Sequence, residues 1–284
     1  MTEKTLDSLI EDIYDLFLRD DTKVSEEGAH EFGLSLAAII KDRLEAKRRE
    51  PYLRFSNIGS DCDRKLHYQI NHPELGEALP PEVHLKFLFG DILEALLLFL
   101  AKEAGHRVEG QQGRMAFEGL EGSRDAVIDG SLVDVKSASS YSFRKFANEE
   151  LEGNDPFGYT KQLGLYLEAS QDDPIVTNKD SAFFFVIDKT LGHLCLSKIK
   201  RKPSFNWSWF VKRQRAMVEE KDILPKRAFG PVPEGKSGNE ALGLQCSYCN
   251  FKKACWSGLR GFAYSTGPKW LTRVVKEPNV PEIK

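Results

Sequence analysis

The stretch from Arg124 to Ser137, RDAVIDGSLVDVKS, admits few folds. Asp129-Gly130 is the residue pair favoured by a two-residue primed hairpin turn, and short apolar runs flank it on both sides. A turn there fixes the register: Ile128 faces Ser131, Val127 faces Leu132, Ala126 faces Val133, and Asp125 stands opposite Asp134. Opposite residues of an antiparallel pair share a face, with Cβ atoms about 5 Å apart. Lys136, two residues on, shares the face of Asp134, while Ala126, Ile128, Val133 and Val135 form an apolar face suited to packing on helices. Two carboxylates held this close repel one another, so a cation must sit between them or one must keep its proton. Mg²⁺ or Mn²⁺ fits, because carboxylate oxygens are their preferred ligands. Beside such an ion the ammonium of Lys136 would orient a water and offset charge developing on a phosphate. A solvated surface hairpin is the ordinary reading of an isolated Asp-x-Lys, so the remainder of the chain has to decide.

At 284 residues the chain can bury a full core, and 41% apolar with 29% charged residues is the composition of an ordinary globular protein. A formal net charge of −3 does not advertise a nucleic-acid binder, although basic residues gather locally at Lys198 to Lys202 and at Lys212, Arg213 and Arg215. No secretory signal opens the sequence, and the longest apolar run, Ala95 to Ala101, is far too short to span a bilayer. The expectation is a cytoplasmic protein, of a cell or of a phage acting in its host, whose five cysteines are ligands or free thiols rather than disulfides.

Leu6, Leu9, Ile10, Ile13, Leu16 and Phe17 recur at helical spacing, and a second helix is expected from about Glu26 to Glu50, with Leu36, Ile39, Ile40 and Leu44 on one face and a basic end at Lys47-Arg48-Arg49. Pro81 to Gly105 reads as a long buried helix with Glu94 in its middle, where a carboxylate is costly unless paired or bound to a metal. His106 to Phe117 reads as a first strand. Ser139 to Ser142 stands at a helix start, and a helix from about Gly158 to Ser170 projects Gln162 and Tyr166 from one face. Ala182 to Ile187 and His193 to Ile199 read as two further strands, Trp207 to Lys221 as a helix, and Pro225 to Gly243 as a long irregular connection. Cys195 is expected to be a small buried hydrophobe.

Cys62 and the C-x2-C-x5-C of Cys246, Cys249 and Cys255 are not the paired short knuckles of a zinc ribbon, because one ligand would return from far upstream. Four thiolates suit an iron-sulfur cluster, and zinc stays open.

In this order the motifs resemble those of the PD-(D/E)xK nucleases, and in particular the RecB-type and CRISPR-associated iron-sulfur exonucleases. Gly90 to Glu94 is similar to their G-x3-E, Gly122 to Asp125 to their G-x-x-D, Asp134-Val135-Lys136 to their D-x-K, and Gln162 to Tyr166 to their Q-x3-Y. The chain departs from the pattern in having no proline before Asp125 and a short separation between its two acids, which leaves Asp129 as a rival that the turn should occupy. The resemblance spans roughly residues 55–260. It implies an α/β fold: a restriction-endonuclease-like core, with a mixed central sheet flanked by helices, an iron-sulfur lobe and N-terminal helices.

The expected organisation is an N-terminal helical extension over 1–50, a nuclease core over 51–224 that includes Cys62, and an iron-sulfur lobe and tail over 225–284. The resemblance implies that Asp125, Asp134, Glu94 and the carbonyl of Val135 hold Mg²⁺ or Mn²⁺, that Lys136 positions water, and that Gln162 and Tyr166 help set the strand. It further implies that Cys62, Cys246, Cys249 and Cys255 hold a [4Fe-4S] cluster. The implied activity is a metal-dependent DNA exonuclease in recombination, repair or processing. With no nucleotide-binding loop in the sequence, its partner would be single-stranded or end-containing DNA, with a helicase or recombination protein to separate strands. The alternative is a non-catalytic iron-sulfur or zinc protein that binds nucleic acid or serves assembly on the same scaffold.

Overall fold

The computed structural model describes residues 4–45 and 51–283, so the basic run Lys47-Arg48-Arg49 lies outside the described residues. The elements run α1 (Leu9–Leu18), α2 (Glu26–Leu44), α3 (Phe55–Ile58), α4 (Asp63–Asn71), α5 (Pro81–Glu103), β1 (Val108–Glu109), β2 (Arg114–Phe117), β3 (Leu120–Ser123), β4 (Ala126–Ile128), β5 (Ser131–Ala138), α6 (Ser140–Ala147) and α7 (Tyr159–Ala169). There follow β6 (Ser181–Asp188), β7 (Leu194–Lys200), α8 (Trp207–Glu219), β8 (Pro231–Pro233), β9 (Glu240–Leu242), α9 (Leu244–Ser247), α10 (Lys252–Cys255), β10 (Arg260–Tyr264), β11 (Gly267–Arg273) and β12 (Glu282–Ile283).

The hairpin organises a mixed α/β fold. Asp129 and Gly130 both take positive φ, 48° and 75°, as a primed turn requires, and the pairs Ala126 with Val133, Val127 with Leu132 and Ile128 with Ser131 form as the sequence pattern demands. A five-stranded sheet of order β1-β4-β5-β6-β7 grows around it, parallel between β5 and β6 and antiparallel elsewhere. The crossover between its parallel strands contains α6 and α7. Helices cover both faces. Ala126, Ile128, Val133 and Val135 pack with Leu9 and Ile13 of α1 and with Leu97, Leu98 and Ala101 of α5. Val127, Leu132 and Ala138 pack with residues of α3, α6, α7 and α8, among them Phe55, Phe146, Leu163 and Phe210.

Three expectations are corrected. The stretch from His106 to Phe117 is two strands, because the backbone turns between them with positive φ at Gly110 and Gln112, and β2 pairs with β3 in a small sheet of its own. Helix α5 is buried only in its C-terminal half, at Leu97, Leu98 and Ala101; Leu85, Phe87 and Phe89 are exposed because only the second half lies on the sheet's apolar face. The segment Pro225 to Gly243 holds β8 and β9 rather than running irregularly throughout. Those strands join β10, β11 and β12 in a second sheet, antiparallel, of order β12-β10-β11-β9-β8, around Ala241, Phe262 and Leu271.

Helix α2 has no buried residue and meets the rest of the fold chiefly through α5, where the Phe32 and Phe99 rings stack at 4.7 Å. Helix α1 is different. Leu9 and Ile13 are fully buried, so α1 is part of the sheet's core rather than an attachment to it. Among the described residues, no helix is long and apolar enough to cross a membrane. Leu9→Ala is expected to lower unfolding free energy by about 2–5 kcal/mol in a urea titration, the usual loss for a buried leucine. A loss below about 1 kcal/mol would show that α1 is held loosely.

Candidate functional site

The site forms where β4 stops and β5 continues. The ladder ends at Ala126 with Val133. The amide of Val135, which would have extended it, instead donates to Oδ2 of Asp125 at 2.8 Å. The N–H and C=O of one strand residue point to the same neighbour, so the Val135 carbonyl also faces the gap that β4 leaves. Asp134 is buried, and the Lys136 ammonium lies against its Oδ2, an atom that accepts no hydrogen bond of ordinary geometry from the described residues. The same ammonium stands 3.5 Å from the Val135 carbonyl oxygen and 5.4 Å from the centre of the Tyr159 ring.

Helix α5 brings Glu94 to this gap. Gly90, one turn earlier, is where the helix passes over β5: a Cβ there would meet Ser137 Oγ at 3.7 Å. Glu94 accepts a hydrogen bond from Gln112 Nε2 at 2.7 Å. Asp91, on the preceding turn, is held by the guanidinium of Arg43 from α2, with Nη2 to Oδ1 at 2.8 Å.

Charge is crowded here, and the protonation equilibria show it. Burial pushes the Asp125 carboxyl well above the usual carboxylate range, and the charges of Asp134 and Glu94 add to it against the opposing pull of Lys136 and the Val135 N–H. Burial likewise pushes Glu94 up to about 7, with Lys136 opposing and Asp134 adding. Burial alone would lower Lys136, but Asp134 and Asp125 outweigh it and hold the side chain as an ammonium above its ordinary value. Such mutual influence places Glu94, Asp125, Asp134 and Lys136 in one electrostatic cluster.

Asp129 is no rival to Asp125. Its carboxylate takes a hydrogen bond from the Arg107 amide at 3.0 Å and lies 2.6 Å from Nδ1 of the buried His106, whose Nε2 lies 3.1 Å from Asp12 of α1. Gln162 and Tyr166 share a face of α7, with Gln162 half-buried, but Tyr166 points inward: its hydroxyl donates to the Ser123 carbonyl at 2.8 Å and its ring packs edge-on to Phe55. It therefore anchors the chain two residues before Asp125 and does not reach outward. Sequence reading missed two residues. Tyr159 opens the face that Gln162 and Tyr166 continue, at spacings of three and seven, a signal that could have found it. Gln112 sits in a loop with no such signal.

The cysteines form a second cluster. Cys62, at the start of α4, and Cys246, Cys249 and Cys255 line one cavity with Tyr68 and Phe251. All are free thiols. Burial, then the neighbouring cysteines, pushes Cys246 up to about 11; burial also raises Cys249. Arg64 Nη1 lies 3.9 Å from Cys255 Sγ, and Arg227 stacks on Trp256 at 4.3 Å while donating to the Cys255 carbonyl at 3.1 Å. Glu77 binds Lys252 and Lys253 and donates its amide to the Asn250 carbonyl at 2.7 Å, fastening the chain after α4 to the cysteine loop. Cys195 lies elsewhere, on β7, where burial pushes it up to about 12.

Among the described residues, no group of three or more His, Cys, Asp or Glu side chains is arranged so as to hold a metal ion. The donor chemistry nevertheless suits one at each cluster. Carboxyl groups at Glu94 and Asp125 whose ionisation is resisted by burial and by neighbouring charge, beside Asp134, are a donor set of the kind a hard divalent cation takes. Four thiols in one cavity flanked by guanidinium groups fit a thiophilic metal or an iron-sulfur cluster.

No protein-family model matches this chain, and a search of curated proteins finds no match. Solved structures do match. One, described as "Crystal structure of SSO0001", aligns with a TM-score of 0.45 and 15% identity over 79% of this chain and 95% of that chain. Similarity that distant decides nothing about function.

A carboxyl raised from 4.5 to about 7 holds its proton more tightly in the folded chain than in the unfolded one, so stability falls as pH rises through that window and the full cost is present above it. With metal removed by a chelator, Glu94→Gln is expected to be more stable than the native protein at about pH 8, by on the order of 1–3 kcal/mol. The gain should vanish below about pH 4. Equal stability of the two proteins at about pH 8 in urea titrations would contradict the cluster.

Proposed function

We propose that this protein is a metal-dependent deoxyribonuclease of the PD-(D/E)xK type that hydrolyses DNA from its ends. The observation that supports the proposal is the Asp125 carboxylate bonded to the Val135 amide where β4 leaves β5, next to the Asp134–Lys136 ion pair, with the charge of Glu94 felt by Asp125. Acids from a helix, a strand end and a strand centre, with an amine two residues from one of them, are the parts that phosphodiester hydrolysis needs: a cation site and a donor aimed at developing charge.

Asp125, Asp134, Glu94 and the Val135 carbonyl would hold Mg²⁺ or Mn²⁺. The ion, once bound, supplies acidification of a water and neutralisation of the phosphate. The rest falls to the chain. The ionised Lys136 orients the attacking water and stabilises charge on the phosphate, and Tyr159 fixes its ammonium from one side. Gln112 holds the Glu94 carboxyl in place, and Tyr166 holds Ser123 and thereby the approach to Asp125. Cys62, Cys246, Cys249 and Cys255 would carry a [4Fe-4S] cluster with a structural role, tying residues near 62 to those near 250.

Asp134→Ala and Lys136→Ala should each reduce Mn²⁺-dependent cleavage of end-labelled DNA to background, with the circular dichroism of the native fold retained; full cleavage by either variant would reject the site. Anaerobically purified protein should be brown, absorbing broadly in the visible, and Cys62→Ser should lose that absorbance. A colourless native protein containing stoichiometric zinc would assign the thiols to zinc.

The close ion pair of Asp134 with Lys136 neutralises part of the cluster from within, and it favours one other reading: a non-catalytic protein that binds nucleic acid on the same scaffold. DNA cleavage assays with and without EDTA separate the two.

A further inference from the structure

The proposed reaction leaves one feature beside the site unused. Three aromatic rings follow one another outward from Lys136. Its ammonium lies 5.4 Å from the Tyr159 ring centre, Tyr159 lies 5.6 Å from Phe157, and Phe157 meets Tyr248 edge-on at 6.4 Å. Exposure rises along the series, from the half-buried Tyr159 to Phe157 at 47% and Tyr248 at 73%.

The backbone that displays Phe157 is rigid. The Asp155 carboxylate accepts hydrogen bonds from the amides of Phe157, Gly158 and Thr160, at 3.3, 2.9 and 2.7 Å. Gly158 takes φ of 76° and packs on Gly59 so tightly that a Cβ on it would come within 2.0 Å of the Gly59 carbonyl oxygen. The pinned loop leaves Phe157 about half exposed at the rim of the cysteine cavity, which Tyr248 also lines, so only part of the ring is buried by folding. Isolated exposed apolar residues are ordinary, but rings in mutual contact that lead to the lysine of a candidate active site have a direction.

We propose that Phe157 and Tyr248 are a stacking platform for unpaired bases, guiding a single strand of DNA past Tyr159 to Lys136. Unpaired bases present free π-faces and duplex bases do not, so such a platform selects single strands. The charge distribution agrees. The chain carries a formal net charge of −3, and four basic groups of the 198–215 region are paired within the fold: Arg201 on Glu168, Lys202 on Glu152, Arg213 on Asp63 and Arg215 on the Glu118 carbonyl. The inference takes the identity of its ligand from the nuclease reading.

The test is fluorescence anisotropy of the full-length protein without added divalent metal, using a short thymidine oligonucleotide, the same length as a duplex, and an abasic strand of that length. Phe157→Leu and Tyr248→Leu keep apolar cover over the cysteine cavity but remove the stacking face. Each is expected to weaken binding of the thymidine strand about tenfold, with abasic and duplex binding, circular dichroism and visible absorbance unchanged. Native-like affinity in the double variant, or an equal loss on the abasic strand or the duplex, would overturn the platform, as would a native protein that does not prefer the thymidine strand to the abasic one. Because no cleavage occurs in this assay, its outcome is separate from that of the Asp134 and Lys136 variants.

Discussion

One hydrogen bond defines the geometry of the candidate site: the Val135 amide donating to the Asp125 carboxylate at 2.8 Å. It replaces the next rung of the β4 to β5 ladder with a side chain. Had β4 continued in register, the amide and carbonyl of Val135 would both have been satisfied by backbone, and the Asp125 carboxylate would not have been needed there. Ending the pairing at Ala126 converts a sheet edge into a polar opening, and the Asp125 carboxylate that closes the ladder is then held beside Val135. The cost is electrostatic. Three carboxyl groups share a partly buried space with one ammonium, and the raised values of Asp125 and Glu94 record how strongly the site resists full ionisation.

The surrounding elements make that cost tolerable. Arg43 of α2 neutralises Asp91, which would otherwise push Glu94 further from ionisation. Tyr166 fixes Ser123, two residues from Asp125, from within the core, and so the most buried aromatic of α7 acts on the site through backbone rather than by contact with a ligand. His106, with a ring nitrogen facing each of Asp129 and Asp12, ties the hairpin turn to α1 and takes the rival acid out of play. The helix that opens the chain thereby contributes to the register of the hairpin at its centre.

The sequence made the hairpin legible because Asp129-Gly130 is chemically unambiguous: both residues must take positive φ, and everything from Ala126 to Val133 follows by alternation. A carboxylate set in the apolar part of α5 needs a partner, and Glu94 finds one in Gln112. What escaped is non-local. The break between β1 and β2 depends on Gly110 and Gln112 reversing direction within what reads as one extended run, and the second sheet joins β8 and β9 to strands beyond the cysteines, a pairing that no local pattern encodes. The inward direction of Tyr166 is non-local in the same way. Helical spacing gives the face a residue shares, but whether that face looks into the core or out of it depends on what packs there, in this case Phe55 of α3.

The two clusters are mechanically joined. Gly59 lies three residues before Cys62, and its backbone packs directly on Gly158, the residue before Tyr159. A Cβ built on Gly59 would stand 2.4 Å from the Gly158 carbonyl oxygen, so neither segment can shift without the other. Tyr159 in turn lies against Lys136. The path from thiols to ammonium therefore runs through two backbone segments in contact and one aromatic ring, with no flexible side chain between. Whatever fixes Cys62 against Cys246, Cys249 and Cys255 also fixes where α7 begins. The cysteine segment is thereby tied by position to the candidate site, because a loosened Gly59 contact would release Tyr159 and with it the Lys136 ammonium.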